Sequence, residues 1–107
     1  MKPAVRNIFT DFSQSDDGKE ELRTLFENTS VKIERIVSHD HSSPPGFWYD
    51  QDGDEWVIVL RGEATLEFVG GDSVKLGAGD YLEIPRRIKH RVARTGEETV
   101  WLAVHAR

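Results

Sequence analysis

The fold is decided by one stretch, residues 49–62, which reads Tyr49-Asp50-Gln51-Asp52-Gly53-Asp54-Glu55-Trp56-Val57-Ile58-Val59-Leu60-Arg61-Gly62. Its first half is rich in Asp and Gly, which favour turns. Its second half is a run of β-branched and aromatic residues led by Glu55, and such residues favour strands. The stretch therefore predicts a loop followed by a buried strand that ends at Gly62.

Short strands separated by turn residues are predicted along most of the chain beyond residue 30. Residues 63–69 alternate apolar and polar side chains, so they are expected to form a hairpin with the preceding strand through Gly62. Such a series with almost no helix predicts an all-β antiparallel sandwich or barrel. The predicted strands cover residues 31–38, 47–51, 55–61, 63–69, 73–76, 81–84, 90–95 and 99–106.

The first thirty residues show a different pattern. Residues 1–15 are too irregular for a regular element, and residues 16–26 place apolar side chains at 22, 25 and 26 behind acidic residues. This spacing predicts a short amphipathic helix. We therefore expect one domain, with residues 1–30 as an arm and short helix packed on a barrel of residues 31–107.

The strand led by Glu55 has an apolar outer face. If Glu55 points into the barrel, the two-residue period also points Val57 and Val59 inward. Trp56, Ile58 and Leu60 then face out and need a cover. We expect the N-terminal arm and a second copy of the chain, in a homodimer, to provide it.

Composition excludes several classes of function. The chain has 107 residues, a net charge of -5 and no cysteine, so it has no thiol chemistry and is too acidic to favour nucleic acid or an anionic membrane surface. No apolar run is long enough to span a bilayer, and the N-terminus lacks a signal-peptide core, so a cytoplasmic protein is expected. The basic residues of 86–94 are interpreted as charges on a strand edge.

Two motifs carry a resemblance to the cupins. Their first motif is a glycine, two histidines one residue apart, a glutamate, and a second glycine seven positions after the glutamate. Gly46, Glu55 and Gly62 match its glycines and glutamate. Its second motif matches at Gly79, Pro85 and His90, with Arg87 where a glycine is usual and Arg94 where an asparagine is frequent. The resemblance covers roughly residues 31–105 and implies a double-stranded β-helix, or jelly-roll barrel.

The resemblance also implies a metal site. Carried over residue by residue, the ligand set becomes Tyr49, Gln51, Glu55 and His90, for a divalent transition metal such as Fe, Mn, Ni or Zn. A phenol and an amide replace the two histidines of the first motif, and both are poor donors for such metals. A histidine from the preceding loop, His39 or His41, is a candidate for completing the set.

Several functions follow from this site. The first is an enzyme of oxygenase, isomerase or decarboxylase type acting on a small molecule, with Glu55 and His90 as metal ligands and Tyr49 as ligand or proton donor. The second is a binding or sensing module without metal, holding a small compound, with anions among the candidates, through Gln51, His90, Arg87 and Arg94. A third interpretation is purely structural: the polar side chains of the site form a cluster whose members only hydrogen-bond one another. His105 is interpreted as a surface or sheet-edge histidine.

Overall fold

The computed structural model describes residues 1–12 and 20–107, which form eight strands and no helix. In chain order the strands are β1 (Glu20–Glu27), β2 (Val31–Ser38), β3 (Asp54–Arg61), β4 (Glu63–Phe68), β5 (Ser73–Gly77), β6 (Tyr81–Ile84), β7 (His90–Thr95) and β8 (Thr99–Ala106). They build a five-stranded sheet in the order β1-β2-β8-β3-β6 and a three-stranded sheet in the order β5-β4-β7, with every pairing antiparallel. The predicted all-β jelly roll is therefore confirmed. Over the described ranges, nothing helical is available to cross a membrane.

The core lies between the two sheets and follows the predicted alternation. Glu55, Val57 and Val59 are buried, while the intervening side chains of β3 are only half buried. Since successive side chains of a strand point to opposite faces, this pattern puts the Glu55 carboxylate on the core side. Its apolar neighbours on the core side come from both sheets and include Leu66, Ile84, Val92 and Trp101.

The hairpin predicted at Gly62 is wrong. Strand β3 belongs to the five-stranded sheet and β4 to the three-stranded one, so the chain changes sheets at Gly62 instead of folding back on itself. Gly62 has φ of +91°, and a Cβ at this position would lie 2.5 Å from the Glu98 carbonyl oxygen. Glycine is required because the crossing combines a left-handed backbone with a close approach of another chain segment.

The predicted helix is wrong over the part of it that the structure describes. Residues 20–26 lie in β1, which pairs antiparallel with β2 along its length, with a bulge between Thr24 and Phe26. Residues 16–19 lie outside the described residues. The apolar residues at 22, 25 and 26 fit a helical period by coincidence, because pairing with the edge of β2 overrides that local pattern.

The strand predicted over residues 47–51 is reduced to a single bridge. Tyr49 alone pairs with a strand, through its backbone N–H to the His90 carbonyl at 2.7 Å and its own carbonyl to the His90 N–H at 3.1 Å. A turn closed by the Phe47 N–H and the Pro44 carbonyl precedes it, and the acidic turn follows. Both turns bend the chain too soon for a longer ladder.

Part of the outer face of the five-stranded sheet is covered by the N-terminal arm. Arg35 is 2% exposed, and its guanidinium donates to the carbonyls of Ile8, Thr10 and Asp11. It also lies over the ring of Phe12 at 4.8 Å. Arg35 therefore fixes residues 8–12 against this face of the sheet, opposite the core.

Candidate functional site

A cavity of about 80 Å³ opens between the two sheets around Glu55. This volume is well below the ~300 Å³ of the smaller drug-sized ligand pockets. One group of lining side chains is polar, and the other is apolar. The polar ones are Glu20, Glu34, Tyr49, Gln51, Glu55, His90 and His105, and the apolar ones are Leu22, Ile36, Val57, Leu66, Ile84, Val92 and Trp101.

Glu55 is the centre of the polar group. The residue is only 7% exposed, and its Oε1 atom has no hydrogen-bond partner. His90 Nε2 lies 3.4 Å from Oε1, within ion-pair distance, and His105 Nε2 lies 4.0 Å from Oε2. A buried carboxylate oxygen without a donor is unusual, because desolvation of a charged group is costly when nothing replaces its water.

His90 is held in one orientation at the start of β7. Its Nδ1 lies 2.9 Å from the Ile88 carbonyl oxygen, which can only accept, so Nδ1 carries a proton and Nε2 faces Glu55. The ring stacks on Tyr49 with 5.4 Å between centroids. Burial lowers the pKa of His90, but the Glu55 carboxylate and the Ile88 carbonyl together outweigh burial and raise this pKa above its usual value. His90 is therefore a proton donor suited to near-neutral pH.

Tyr49 keeps its proton in this surrounding. Burial, followed by the negative charges of Glu20, Glu55 and Glu34, raises the pKa of the Tyr49 phenol to about 12. A phenol of that pKa is a hydrogen-bond donor at neutral pH and a poor metal ligand. Gln51 also lines the cavity, and its backbone carbonyl accepts a hydrogen bond from the Arg87 N–H at 2.8 Å.

Three of the polar lining residues were not among the predicted site residues: Glu20, Glu34 and His105. The interpretation of His105 as a surface or sheet-edge residue missed its place in the cavity wall. It lies directly opposite Glu55 in the β3–β8 pairing, and its Nε2 is 3.2 Å from Glu34 Oε1. The signal was present in the sequence, because His105 shares one face of β8 with buried Trp101 and Ala103.

The other predicted site residues lie outside the cavity lining. His41 contacts the site only at its edge, with Nε2 3.7 Å from Glu20 Oε2, and His39 lines a separate surface depression. Arg87 is bound to the acidic turn through Asp50 and Asp52, and Arg94 lies 3.5 Å from Glu63. Both guanidinium groups are mostly exposed and already paired with carboxylates.

The donor set does not fit a tightly held transition metal. Of the four implied ligands, only Glu55 and His90 are ordinary donors, because the Tyr49 phenol keeps its proton and the Gln51 amide is a weak donor. Across residues 1–12 and 20–107, no three side chains of His, Asp or Glu are arranged to hold a metal ion. The residues present therefore favour chemistry carried by Glu55 and His90 themselves.

Comparison with known proteins agrees with this architecture. Residues 37–105 match the cupin domain family. A solved structure from Ralstonia eutropha JMP134, provisionally named a mannose-6-phosphate isomerase, is 44% identical with a TM-score of 0.89, over 97% of this chain and 98% of that one. Among proteins of curated function, none matches the chain.

More distant structures share the fold alone. A cupin superfamily protein from Desulfitobacterium hafniense DCB-2 is 19% identical with a TM-score of 0.75, over 88% of this chain and 83% of that one. A cupin-2 domain protein from Shewanella frigidimarina NCIMB 400 is 22% identical with a TM-score of 0.70, over 90% and 85% of the two chains. Since the family match covers more than half of the sequence, this chain belongs to the cupin domain family.

Proposed function

We propose that this cupin is a small-molecule isomerase that moves a proton within a hydroxycarbonyl compound, with Glu55 as base and His90 as acid. The observation that carries the proposal is the buried Glu55 Oε1, which has no hydrogen-bond partner and lies 3.4 Å from His90 Nε2 in the wall of a cavity. A carboxylate and a raised-pKa imidazole at one site are the two groups that such a proton transfer needs.

The two groups have complementary tasks. Glu55 removes a proton from the hydroxyl-bearing carbon beside the substrate carbonyl, and an enediol forms when His90 gives its Nε2 proton to the carbonyl oxygen. Glu55 then returns its proton to the former carbonyl carbon, while His90 takes back a proton from the oxygen of the other hydroxyl, which becomes the new carbonyl. The His90 Nε2–H donates to the carbonyl oxygen and stabilises the negative charge that develops there. The proton and the electron pair stay within the substrate and these two side chains, so no oxidant or reductant is consumed.

The surroundings of the pair favour this chemistry. The apolar side chains lining the cavity exclude water, which strengthens the electrostatic effect of each polar group. Tyr49 supplies a phenolic O–H that stays protonated, and Gln51 supplies an amide, so both are available to orient a substrate hydroxyl. The isomerase name of the 44% identical protein supports the same class of reaction.

The test is hydrogen exchange in D₂O, followed by proton NMR with hydroxyacetone, dihydroxyacetone and glyceraldehyde as probes. We expect the protein to accelerate loss of the signal from the carbon beside the carbonyl. Glu55→Gln and His90→Asn should each slow that exchange at least about 100-fold, the lower end of typical general acid–base contributions. Glu98→Gln is the matched control, because it removes an exposed carboxylate paired with Arg61.

Two outcomes would overturn the proposal. Equal exchange rates in the wild-type protein and the Glu55→Gln variant would exclude Glu55 as the base. Probe binding without any exchange in the wild-type protein would favour the non-catalytic binding module. Treatment with a chelator, checked by elemental analysis, should leave the exchange rate unchanged, whereas loss of activity restored by one metal would contradict a metal-free site.

We also propose the homodimer expected from the sequence. Trp56, Ile58 and Leu60 are half buried on the outer face of β3, and Tyr81, which is 65% exposed, packs against Trp56 at 5.4 Å. This leaves apolar surface suited to a second subunit. Sedimentation should show a dimer at micromolar concentration that Tyr81→Lys weakens, and a stable wild-type monomer would contradict the proposal.

A further inference from the structure

We infer that the ligand of this cavity is a small organic cation, with an ammonium group on a body of about three carbons. The inference rests on the proposed function only in using the same cavity, and it adds the charge class of the molecule that enters. It makes phosphorylated and carboxylated compounds poor ligands.

The polar end of the cavity carries an excess of negative charge. Glu20, Glu34 and Glu55 line it, and neither lysine nor arginine is among its described lining residues. The two histidines of the lining face these carboxylates: His90 lies 3.4 Å from Glu55, and His105 lies 3.2 Å from Glu34. The site therefore attracts a positive charge and repels a negative one.

The carboxylates of Glu20, Glu34 and Glu55 line the same cavity and influence one another electrostatically. The Glu20 carboxyl is held by the Ser38 hydroxyl at 3.3 Å, and His41 Nε2 lies 3.7 Å from it. Burial raises the pKa of Glu20, and the charges of Glu34 and Glu55 raise this pKa further despite the opposing effect of His41. The same three carboxylates contribute to the raised pKa of Tyr49. A cation in the cavity would relieve this mutual repulsion.

An independent observation points to a hydrogen-bond donor as the missing partner. Glu55 is more than nine-tenths buried, its side chain lies in the cavity wall, and its Oε1 accepts no hydrogen bond. His90 Nε2 lies 3.4 Å from this oxygen, at ion-pair distance but outside good hydrogen-bond geometry, so Oε1 has room for a better-placed donor. An ammonium group has three donors, so it can serve Oε1 and a second carboxylate at once.

The apolar part of the cavity lining determines the size and polarity of the rest of the ligand. Half of the lining side chains are apolar and include Leu66, Val92 and Trp101 from the two sheets. They suit a short hydrocarbon segment, and the volume of about 80 Å³ limits its length. A phosphate, by contrast, would meet the carboxylates of Glu20, Glu34 and Glu55 in the same lining, where the described residues include no lysine or arginine. Lys32 lies in the outer depression with Nζ 3.4 Å from Glu34, and Arg87 is paired with Asp50 and Asp52.

Three probes of similar shape and different charge test the inference: n-propylammonium, 1-propanol and propionate. Binding is measured at pH 7 by backbone amide shifts in ¹⁵N NMR spectra. We expect n-propylammonium to bind at least tenfold more tightly than 1-propanol, and propionate and inorganic phosphate to leave the cavity resonances unchanged. The shifts should centre on β3, β7 and β8.

Two neutral variants and one control locate the charge effect. Glu34→Gln and Glu20→Gln keep the size of the side chain, and each should weaken n-propylammonium binding at least about fivefold without affecting 1-propanol. Glu98→Gln should leave the affinities for n-propylammonium and 1-propanol unchanged, and amide spectra identify any variant that fails to fold. Equal binding of propionate and n-propylammonium would overturn the inference, as would unchanged cation affinity in both folded neutral variants.

The outcome is separable from that of the proposed function. If n-propylammonium binds as expected and no hydroxycarbonyl probe exchanges hydrogen, the isomerase proposal fails and the ligand class stands. If exchange depends on Glu55 while an anion binds the cavity best, the ligand class fails and the catalytic pair stands.

Discussion

Replacing Glu55 by Gln should reverse the pH dependence that His90 gives to folding. In the wild-type protein the pKa of His90 is raised above its usual value despite burial, because Glu55 and the Ile88 carbonyl favour the charged ring. The stability from this shift is complete below the unfolded pKa of about 6.5 and is lost as pH rises through the higher folded pKa. In Glu55→Gln, burial is the largest remaining influence and lowers the pKa of His90, so the variant should lose stability as pH falls below about 6.5.

The magnitude follows from the geometry of the pair. Two unit charges 3.4 Å apart attract by about 5 kcal/mol at an effective dielectric constant of about 20. Both side chains are more than 90% buried, so solvent screening is small, while desolvation of each charge offsets part of the attraction. Removing one partner of a buried pair typically costs ~3–5 kcal/mol. We expect a loss of about 3 kcal/mol at pH 6 and a smaller loss at pH 8.5, where His90 is neutral more of the time.

Urea unfolding at pH 5.5, 6.5, 7.5 and 8.5 measures this effect. For a domain of this size, about 3 kcal/mol corresponds to a melting temperature lower by roughly 12 °C. Glu98→Gln should cost less than ~1 kcal/mol and keep the wild-type pH profile, because its ion pair with Arg61 is exposed. Parallel pH profiles for wild-type protein and Glu55→Gln would refute the coupling between Glu55 and His90.

Two further substitutions test the fold. Gly62→Ala should destabilise the protein by more than ~2 kcal/mol, because the new Cβ would lie 2.5 Å from the Glu98 carbonyl oxygen. Gly70→Ala is the control: it has open space around it and should cost only about 1 kcal/mol of left-handed backbone strain. Equal urea midpoints for the two variants would contradict the close approach of Glu98 at Gly62. Arg35→Met should release residues 8–12 from the sheet, because it removes the donors to the carbonyls of Ile8, Thr10 and Asp11. We expect faster amide hydrogen exchange confined to β1, β2 and the arm. Unchanged exchange there would show that another contact holds the arm.

The architecture could be predicted from the sequence wherever a strand has one buried face. Alternation alone grouped Glu55, Val57 and Val59 on one face of β3, and the structure buries that face. Alternation did not say which of the two faces points inward, so the inward direction of Glu55 entered the prediction as a condition. The hairpin at Gly62 could not be excluded in the same way. A turn residue signals that the chain bends, but it does not say whether the next strand pairs with the last one or joins the opposite sheet.

In the edge strand β1, the local sequence pattern is too weak to distinguish a strand from a helix. Leu22, Leu25 and Phe26 are all substantially exposed, so burial imposes little period on this segment. Pairing with β2 determines its structure, and such pairing depends on residues distant in sequence.

The candidate site was predictable in part. Glu55 and His90 were assigned from motif spacing, and the structure brings their side chains together. Glu20 and Glu34 were missed because a carboxylate on a strand near the sheet edge resembles an ordinary surface residue. Their contribution becomes visible only when β1 and β2 are placed beside β8, which depends on the strand order of the sheet.

Three of the four departures from the two cupin motifs, at positions 49, 51 and 87, are close in space, whereas Arg94 pairs with Glu63. Tyr49 stacks on His90, and the Gln51 carbonyl accepts the Arg87 N–H. Arg87 stands where the motif has glycine and still adopts a glycine-like φ of +65°. Its ion pairs with Asp50 and Asp52 help to hold this backbone, although they are partly exposed and individually weak.

The departures at positions 49, 51 and 87 have one chemical consequence. They replace two imidazole donors by a protonated phenol and an amide, and they keep a basic side chain at the acidic turn, outside the cavity lining. Of the four positions that match the motif ligands, only Glu55 and His90 then carry strong metal donors, and these two face each other at 3.4 Å. A carboxylate in that position can take a proton from a ligand or accept a hydrogen bond from it, and the two proposals above, a proton-transfer reaction and a cationic ligand, are built on these two capacities.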